Sequence, residues 1–178
     1  HTRLVRDWSS DVCSSDLNHS AGEFVDDYKA GAWVHFNLDG KKLSAGVFQR
    51  GKKNGMWRRW HSENQLMFEG AFNMDEEDGA WVRWHPNGQV EARGSYRLGA
   101  EDGDWVTWHE NGQKHLEGKY VGGKRTGPWT RWYASGQEQN EVVYENGKLH
   151  GRATVWTRNG SIETEESGHY VHGVRIGP

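Results

Sequence analysis

A glycine recurs every 24 residues along this chain, at Gly31, Gly55, Gly79, Gly103, Gly127 and Gly151. A fixed period of this length means one small unit repeated side by side, each unit burying its apolar surface against its neighbours. Other residues hold register with the glycine. Two positions later stand Trp33, Trp57, Trp81, Trp105 and Trp129, then Ala153. Five positions later stand Phe36, Trp60, Trp84, Trp108, Trp132 and Trp156, so ten of the eleven tryptophans occupy two columns. A second glycine column holds Gly40, Gly88, Gly112, Gly136 and Gly160, with Asn64 the exception. A third holds Gly46, Gly70, Gly94 and Gly118, then Val142, and is followed two residues on by Phe48, Phe72, Tyr96, Tyr120 and Tyr144.

Composition narrows what such an array can be. Hydrophobic residues make up 34% of the chain and 24 residues are glycine, too little aliphatic side chain for a large central core. Eleven tryptophans argue against disorder, because disordered chains are poor in aromatics. A formal charge of −3 gives no electrostatic reason to bind nucleic acid or an anionic membrane. No stretch approaches the ~18 apolar residues of a membrane-spanning helix.

The register divides the chain into 22–30 (a partial unit), 31–54, 55–78, 79–102, 103–126, 127–150, 151–176 and a truncated start at 177–178. The last full unit carries a two-residue insertion between Gly160 and Gly168. Because the array opens and closes inside a unit, the natural protein is expected to extend on both sides. Residues 1–17 share nothing with the repeats. The part from Arg6 to Leu17 reads as the translation of a common sequencing-library adapter, so 1–17 is taken as an artefact or a disordered tail outside the fold. The one cysteine, Cys13, goes with it, which leaves the repeats without a thiol.

Asn87-Gly88, Asn111-Gly112 and Asp39-Gly40 suit type I′ hairpin turns, and the flanking aromatics favour strands. The fold class is therefore all-β: an elongated, single-layer antiparallel meander of stacked hairpins. A two-residue turn at Asn111-Gly112 pairs Trp105 with Gly118, and the same offset pairs Trp33 with Gly46 and Trp57 with Gly70. A tryptophan over a cross-strand glycine covers exposed backbone. Four-residue loops at the other end pair Tyr120 with Trp129 and Tyr96 with Trp105, giving a ladder of alternating indole and phenyl rings on one face.

The stretches GDWVTWHENGQKHLEGKYVGGKRTGPW and GAWVRWHPNGQVEARGSYRLG resemble the MORN-type repeat, in the variant found in bacterial proteins of the YwqK antitoxin type. The resemblance covers residues 22–178. It implies a twisted single-layer sheet serving as a binding scaffold, with no catalytic residues to carry over. Its antitoxin side implies masking of a toxin partner.

The chain is accordingly read as a non-enzymatic scaffold that binds another protein, with no cofactor. Trp57, Trp81, Tyr96, Trp105, Tyr120 and Trp129 are the candidate binding surface. The rival reading is a cell-surface glycan- or choline-binding module, which would use the same rings on a sugar or a lipid headgroup. His61, His85 and His109 also recur at the period, but two strands per unit set them about 9.6 Å apart, too far to share an ion. They are expected to be polar residues flanking turns, and no metal site is assigned. Asp75 to Asp78 lack the alternating ligands of a calcium loop. With Lys52-Lys53 and Lys124-Arg125 in equivalent loops, one edge reads basic, acidic, acidic, basic, a pattern that could orient a protein partner.

Overall fold

A computed structural model describes residues 2–7, 19–62 and 64–178. Every regular element among them is a strand. The strands fall into two units divided at Gly88 and Gln89. Unit 1 contains β1 (Thr2–Asp7), β2 (His19–Val25), β3 (Tyr28–Phe36), β4 (Lys42–Gln49), β5 (Lys52–Ser62), β6 (Gln65–Asn73) and β7 (Glu76–Trp84). Each strand pairs antiparallel with the next. Unit 2 contains β8 (Val90–Arg97), the short β9 (Ala100–Glu101), β10 (Gly103–Trp108), β11 (Lys114–Val121), β12 (Lys124–Trp132), β13 (Glu138–Glu145), β14 (Lys148–Val155), β15 (Gly168–Val171) and β16 (Val174–Gly177). It has the same sequential antiparallel order, with β9 paired to β8 beside β10. Each unit is thus an all-β hairpin meander.

The expected register holds where it was set by the Trp–Gly offset. Trp105 pairs with Gly118, Trp33 with Gly46 and Trp57 with Gly70. The turn types, however, are exchanged between the two ends. At the Asn-Gly loops only the glycine has positive φ (Gly112 at 82°), and its N–H donates to His109 O at 2.9 Å. A register shift follows between Thr107 and Trp108. This is the three-residue loop with a glycine bulge, in which the Asn needs no left-handed backbone. The type I′ turns sit at the opposite ends, where two residues with positive φ join tightly paired strands. Gly122-Gly123 (53° and 76°) close Val121 onto Lys124, and Asn146-Gly147 (51° and 82°) close Glu145 onto Lys148. The four-residue loops expected there shorten to two, so Tyr120 pairs with Arg125 and Tyr96 with Glu101 rather than with Trp129 and Trp105. Equivalent turns use Arg50, Met74 and Leu98 in left-handed conformation, so their sequences carry no Asn-Gly signature.

The surplus length is taken up inside the strands. Between β11 and β12 the register shifts between Glu117 and Lys119, and Gly127 takes φ 67°. The 24-residue glycine marks this bulge, where an L-residue would be strained.

The segment 1–17 divides. The backbone of Thr2–Asp7 forms a strand on β2, from Thr2 opposite Val25 to Asp7 opposite Ser20. An uncovered edge offers unpaired N–H and C=O groups to any extended chain. Cys13 and the remainder of the adapter-like segment lie outside the described residues. At the other end, β14 and β15 share only three pairs, and Ser167 Oγ accepts from Val155 N at 2.9 Å where a ladder bond is missing.

Candidate functional site

The ring ladder forms within each unit. In unit 1, Phe24, Trp33, Phe48, Trp57, Phe72 and Trp81 follow one another with centroids 4.9–6.2 Å apart and near-perpendicular planes. In unit 2, Tyr96, Trp105, Tyr120, Trp129 and Tyr144 do the same at 4.8–6.3 Å. Edge-to-face packing sets the positive rim of one ring against the negative face of the next.

Each indole covers a glycine, though a different one from that expected. Trp105 pairs with Gly118 through its backbone, but its ring folds back across the other neighbouring strand and lies on Gly94. Trp129 lies on Gly118 in the same way, Trp57 on Gly46 and Trp81 on Gly70. The bulge explains this. It frees the carbonyl one residue past the covered glycine, and the indole N–H reaches it. Trp57 Nε1 donates to Val47 O at 3.0 Å, Trp81 Nε1 to Ala71 O at 3.0 Å and Trp105 Nε1 to Ser95 O at 3.1 Å. Trp129 is buried with its Nε1 unpartnered.

Cations close the ladder from above. Lys53 Nζ stands 5.1 Å from the Trp57 ring and 4.7 Å from Phe72. Arg125 Cζ stands 4.5 Å from Trp129 and 5.5 Å from Tyr144. Burial works against the Arg125 charge, yet hydrogen bonds with Tyr120 and Tyr144 raise its pKa above the ordinary value. Lys53 and Arg125 were expected as free charges on a docking edge; they serve as lids on the rings instead. Of the six candidate surface residues, Trp57, Trp81 and Trp129 are 2%, 7% and 1% exposed, while Tyr96, Trp105 and Tyr120 are half-buried. Three of the six therefore cannot touch a ligand without the sheet opening.

The histidine column stitches loops together. His61 Nε2 donates to Trp84 O at 2.8 Å and His109 Nε2 to Trp132 O at 2.9 Å, each reaching into the next repeat. Tyr133 makes the same link by its hydroxyl, to Trp156 O at 3.0 Å. Asp75 does comparable work at the opposite edge, accepting from Lys53 N at 2.7 Å. A glutamine column also lies beneath the turns, with Gln65 under Gly88 and Gln113 under Gly136. Its period was present in the sequence, but its role depends on the turn geometry.

Two other histidines respond to pH. His35 lies between Trp33 and Trp57 with ring centroids 6.2 and 6.4 Å away. Burial first, then the charges of Lys29 and Lys53, lower its pKa from the ordinary 6.5. His115 is lowered by burial, then by His109 and Arg131. An imidazole depressed in the folded state stays neutral there while the unfolded chain takes up the proton. Stability is then full above pH 6.5 and falls as pH drops through the folded pKa values. We expect the melting temperature to be level from pH 8 to 6.5 and to decline below it, less steeply in His35→Gln. Thermal melts at constant ionic strength check this, and a level profile down to pH 5 would refute it.

Unit 1 also carries an open groove of about 790 Å³ near its two-residue turns. Val25, Tyr28, Ala30, Phe48 and Met74 line it, with Asp26, Arg50 and Lys52 around them. Tyr28 is 58% exposed and Met74 37%. Met74 and Arg50 hold φ of 52° and 50°, a conformation that such side chains rarely adopt. In unit 2, Glu145, His150 and His172 converge, a grouping the sequence reading did not offer.

No helix among the described residues is long and apolar enough to cross a membrane. No curated protein matches the chain. Two adjacent stretches, residues 77–97 and 101–121, match the model of the MORN repeat variant, so this part of the array consists of MORN-type repeats.

Proposed function

We propose that the chain is a non-catalytic repeat scaffold whose unit 1 groove binds another protein. MORN-type repeats serve as binding scaffolds, and the match at residues 77–97 and 101–121 supports that kind of role. The observation that carries the reading is the groove itself. Its apolar lining is exposed beside charged neighbours, the arrangement of a docking patch. Met74 breaks a local rule there, since Asn or Gly would hold the same turn without strain. Tyr96, Trp105 and Tyr120 add half-exposed rings in unit 2 as a second region of contact. Masking of a toxin, as the antitoxin-type resemblance implies, is the narrower form of this reading.

The test separates folding from binding at one position. Met74→Asn relieves the left-handed strain and removes the apolar tip. It should leave the protein as stable as before, or more so by about 0.5–1 kcal/mol. It should weaken binding to a protein recovered by the full chain by about tenfold or more, as should Tyr28→Ala. Equal recovery of that protein by both variants would overturn the groove as the binding surface. Capture of polysaccharide or choline resin alone would favour the glycan- or choline-binding reading.

A further inference from the structure

We propose that Glu145, His150 and His172 form a binding site for a divalent transition-metal ion, with zinc the best fit. The three residues come from separate parts of the last hairpins. Glu145 ends β13, His150 lies on β14, and His172 is the first residue of the turn between β15 and β16. One ligand atom from each lies within 4.8 Å of the other two.

The closest pair already has coordination spacing. His150 Nδ1 stands 3.4 Å from Glu145 Oε2. Two ligands bound to one tetrahedral zinc at ~2.0–2.1 Å stand roughly 3.3–3.4 Å apart, so this edge needs no adjustment. His150 Nδ1 is buried and has no hydrogen-bond partner. A nitrogen shielded from water and without a hydrogen bond loses hydration, and an ion set between it and the facing Glu145 carboxylate would supply the missing interaction. The His172 ring lies 5.2 Å from that of His150 at an interplanar angle of 49°, and its side chain is exposed. Its exposure leaves the His172 side chain open to solvent beside the other two ligands.

The repeat supplies an internal control. The positions equivalent to Glu145 are Val25, Gln49, Asn73, Arg97 and Val121. Those equivalent to His150 are Ala30, Asn54, Asp78, Asp102 and Thr126, and those equivalent to His172 are Asp26, Arg50, Met74, Leu98, Gly122 and Asn146. No earlier trio holds more than one His, Asp or Glu, and none has a histidine at any of the three positions. Folding alone does not call for this trio, because the other turns form without it. Two imidazoles and one carboxylate suit zinc and its neighbours in the first transition row, and the exposed side leaves the fourth place to water.

The site predicts a structural effect. An ion held by β13, β14 and the β15–β16 turn ties the last hairpin to the sheet. Calorimetric titration of the full chain with zinc chloride should give one ion per chain. His150→Ala and His172→Ala should each weaken binding by about tenfold or more, and Glu145→Gln should do so while keeping the side chain's shape. His169→Ala, an exposed neighbour outside the cluster, should bind as the parent does. Zinc should slow amide exchange in β15 and β16 of the parent and leave it unchanged in the two histidine variants. No binding by the parent, or equal binding by parent and both histidine variants, would overturn the site. Circular dichroism on each variant separates lost ligation from lost fold.

Discussion

Gly118→Ala should be among the most damaging single-methyl additions in this chain. A β-carbon there falls inside the envelope of the Trp129 indole. The indole has no room to retreat: Trp129 is 1% exposed, with Tyr120 at 4.8 Å, Tyr144 at 6.3 Å and Arg125 at 4.5 Å. Rigid overpacking of this kind costs about 3 kcal/mol, a fall of roughly 6–12 °C in melting temperature for a chain of this size. Gly103→Ala makes the contrast. Nothing lies within 4 Å of a β-carbon at Gly103, but φ is +91°. Its cost is backbone strain alone, about 1–2 kcal/mol. The two sites should also rank asparagine oppositely. Asn tolerates left-handed backbone, so Gly103→Asn should melt above Gly103→Ala. Asn is larger, so Gly118→Asn should melt below Gly118→Ala. Thermal melts of the four variants check this, and a common ranking at both sites would show that the two glycine columns answer one demand.

That difference between glycines explains what the sequence could and could not reveal. Fold class and Trp–Gly register follow from a period and a parity, and both survive small errors in turn assignment. Asn111-Gly112 looked like the tight turn because the dipeptide is the strongest short hairpin signal. The real type I′ turns include Arg50-Gly51, Met74-Asp75 and Leu98-Gly99, whose first residues are poor left-handed formers. The sheet imposes the turn on them, which no local preference could disclose. The direction of each indole was hidden for a related reason. It depends on the carbonyl freed by the bulge at the 24-residue glycine, and periodicity alone does not separate a bulge glycine from a turn glycine. The burial of Trp57 and Trp129 follows from Lys53 and Arg125 folding over the rings, and that of Trp81 from Phe68 stacked on it at 5.0 Å from the neighbouring strand. Glu145, His150 and His172 were invisible as a cluster because two of the three lie 22 residues apart and meet only when successive hairpins stack.

The last repeat tests the same packing rule from within the natural sequence. Ala153 stands where the other units have tryptophan, and Val142 where they have the covered glycine. The structure joins these two departures, since Val142 pairs with Ala153, and both are buried against Trp129. One indole on one glycine has become a small side chain facing a branched one, so volume lost on β14 is restored on β13. Ala153→Trp alone should then clash with Val142 and cost about 3 kcal/mol. Val142→Gly alone opens a gap beside Ala153 and adds chain entropy to the unfolded state, for a cost of about 2–3 kcal/mol. Together they rebuild the pattern of the preceding unit, and the double variant should be at least about 2 kcal/mol more stable than the sum of the two single costs implies. A thermodynamic cycle over the four proteins, followed by amide exchange in β13 and β14, measures that coupling. Additive costs would mean that Val142 and Ala153 drifted independently and that each indole is not matched to its own glycine.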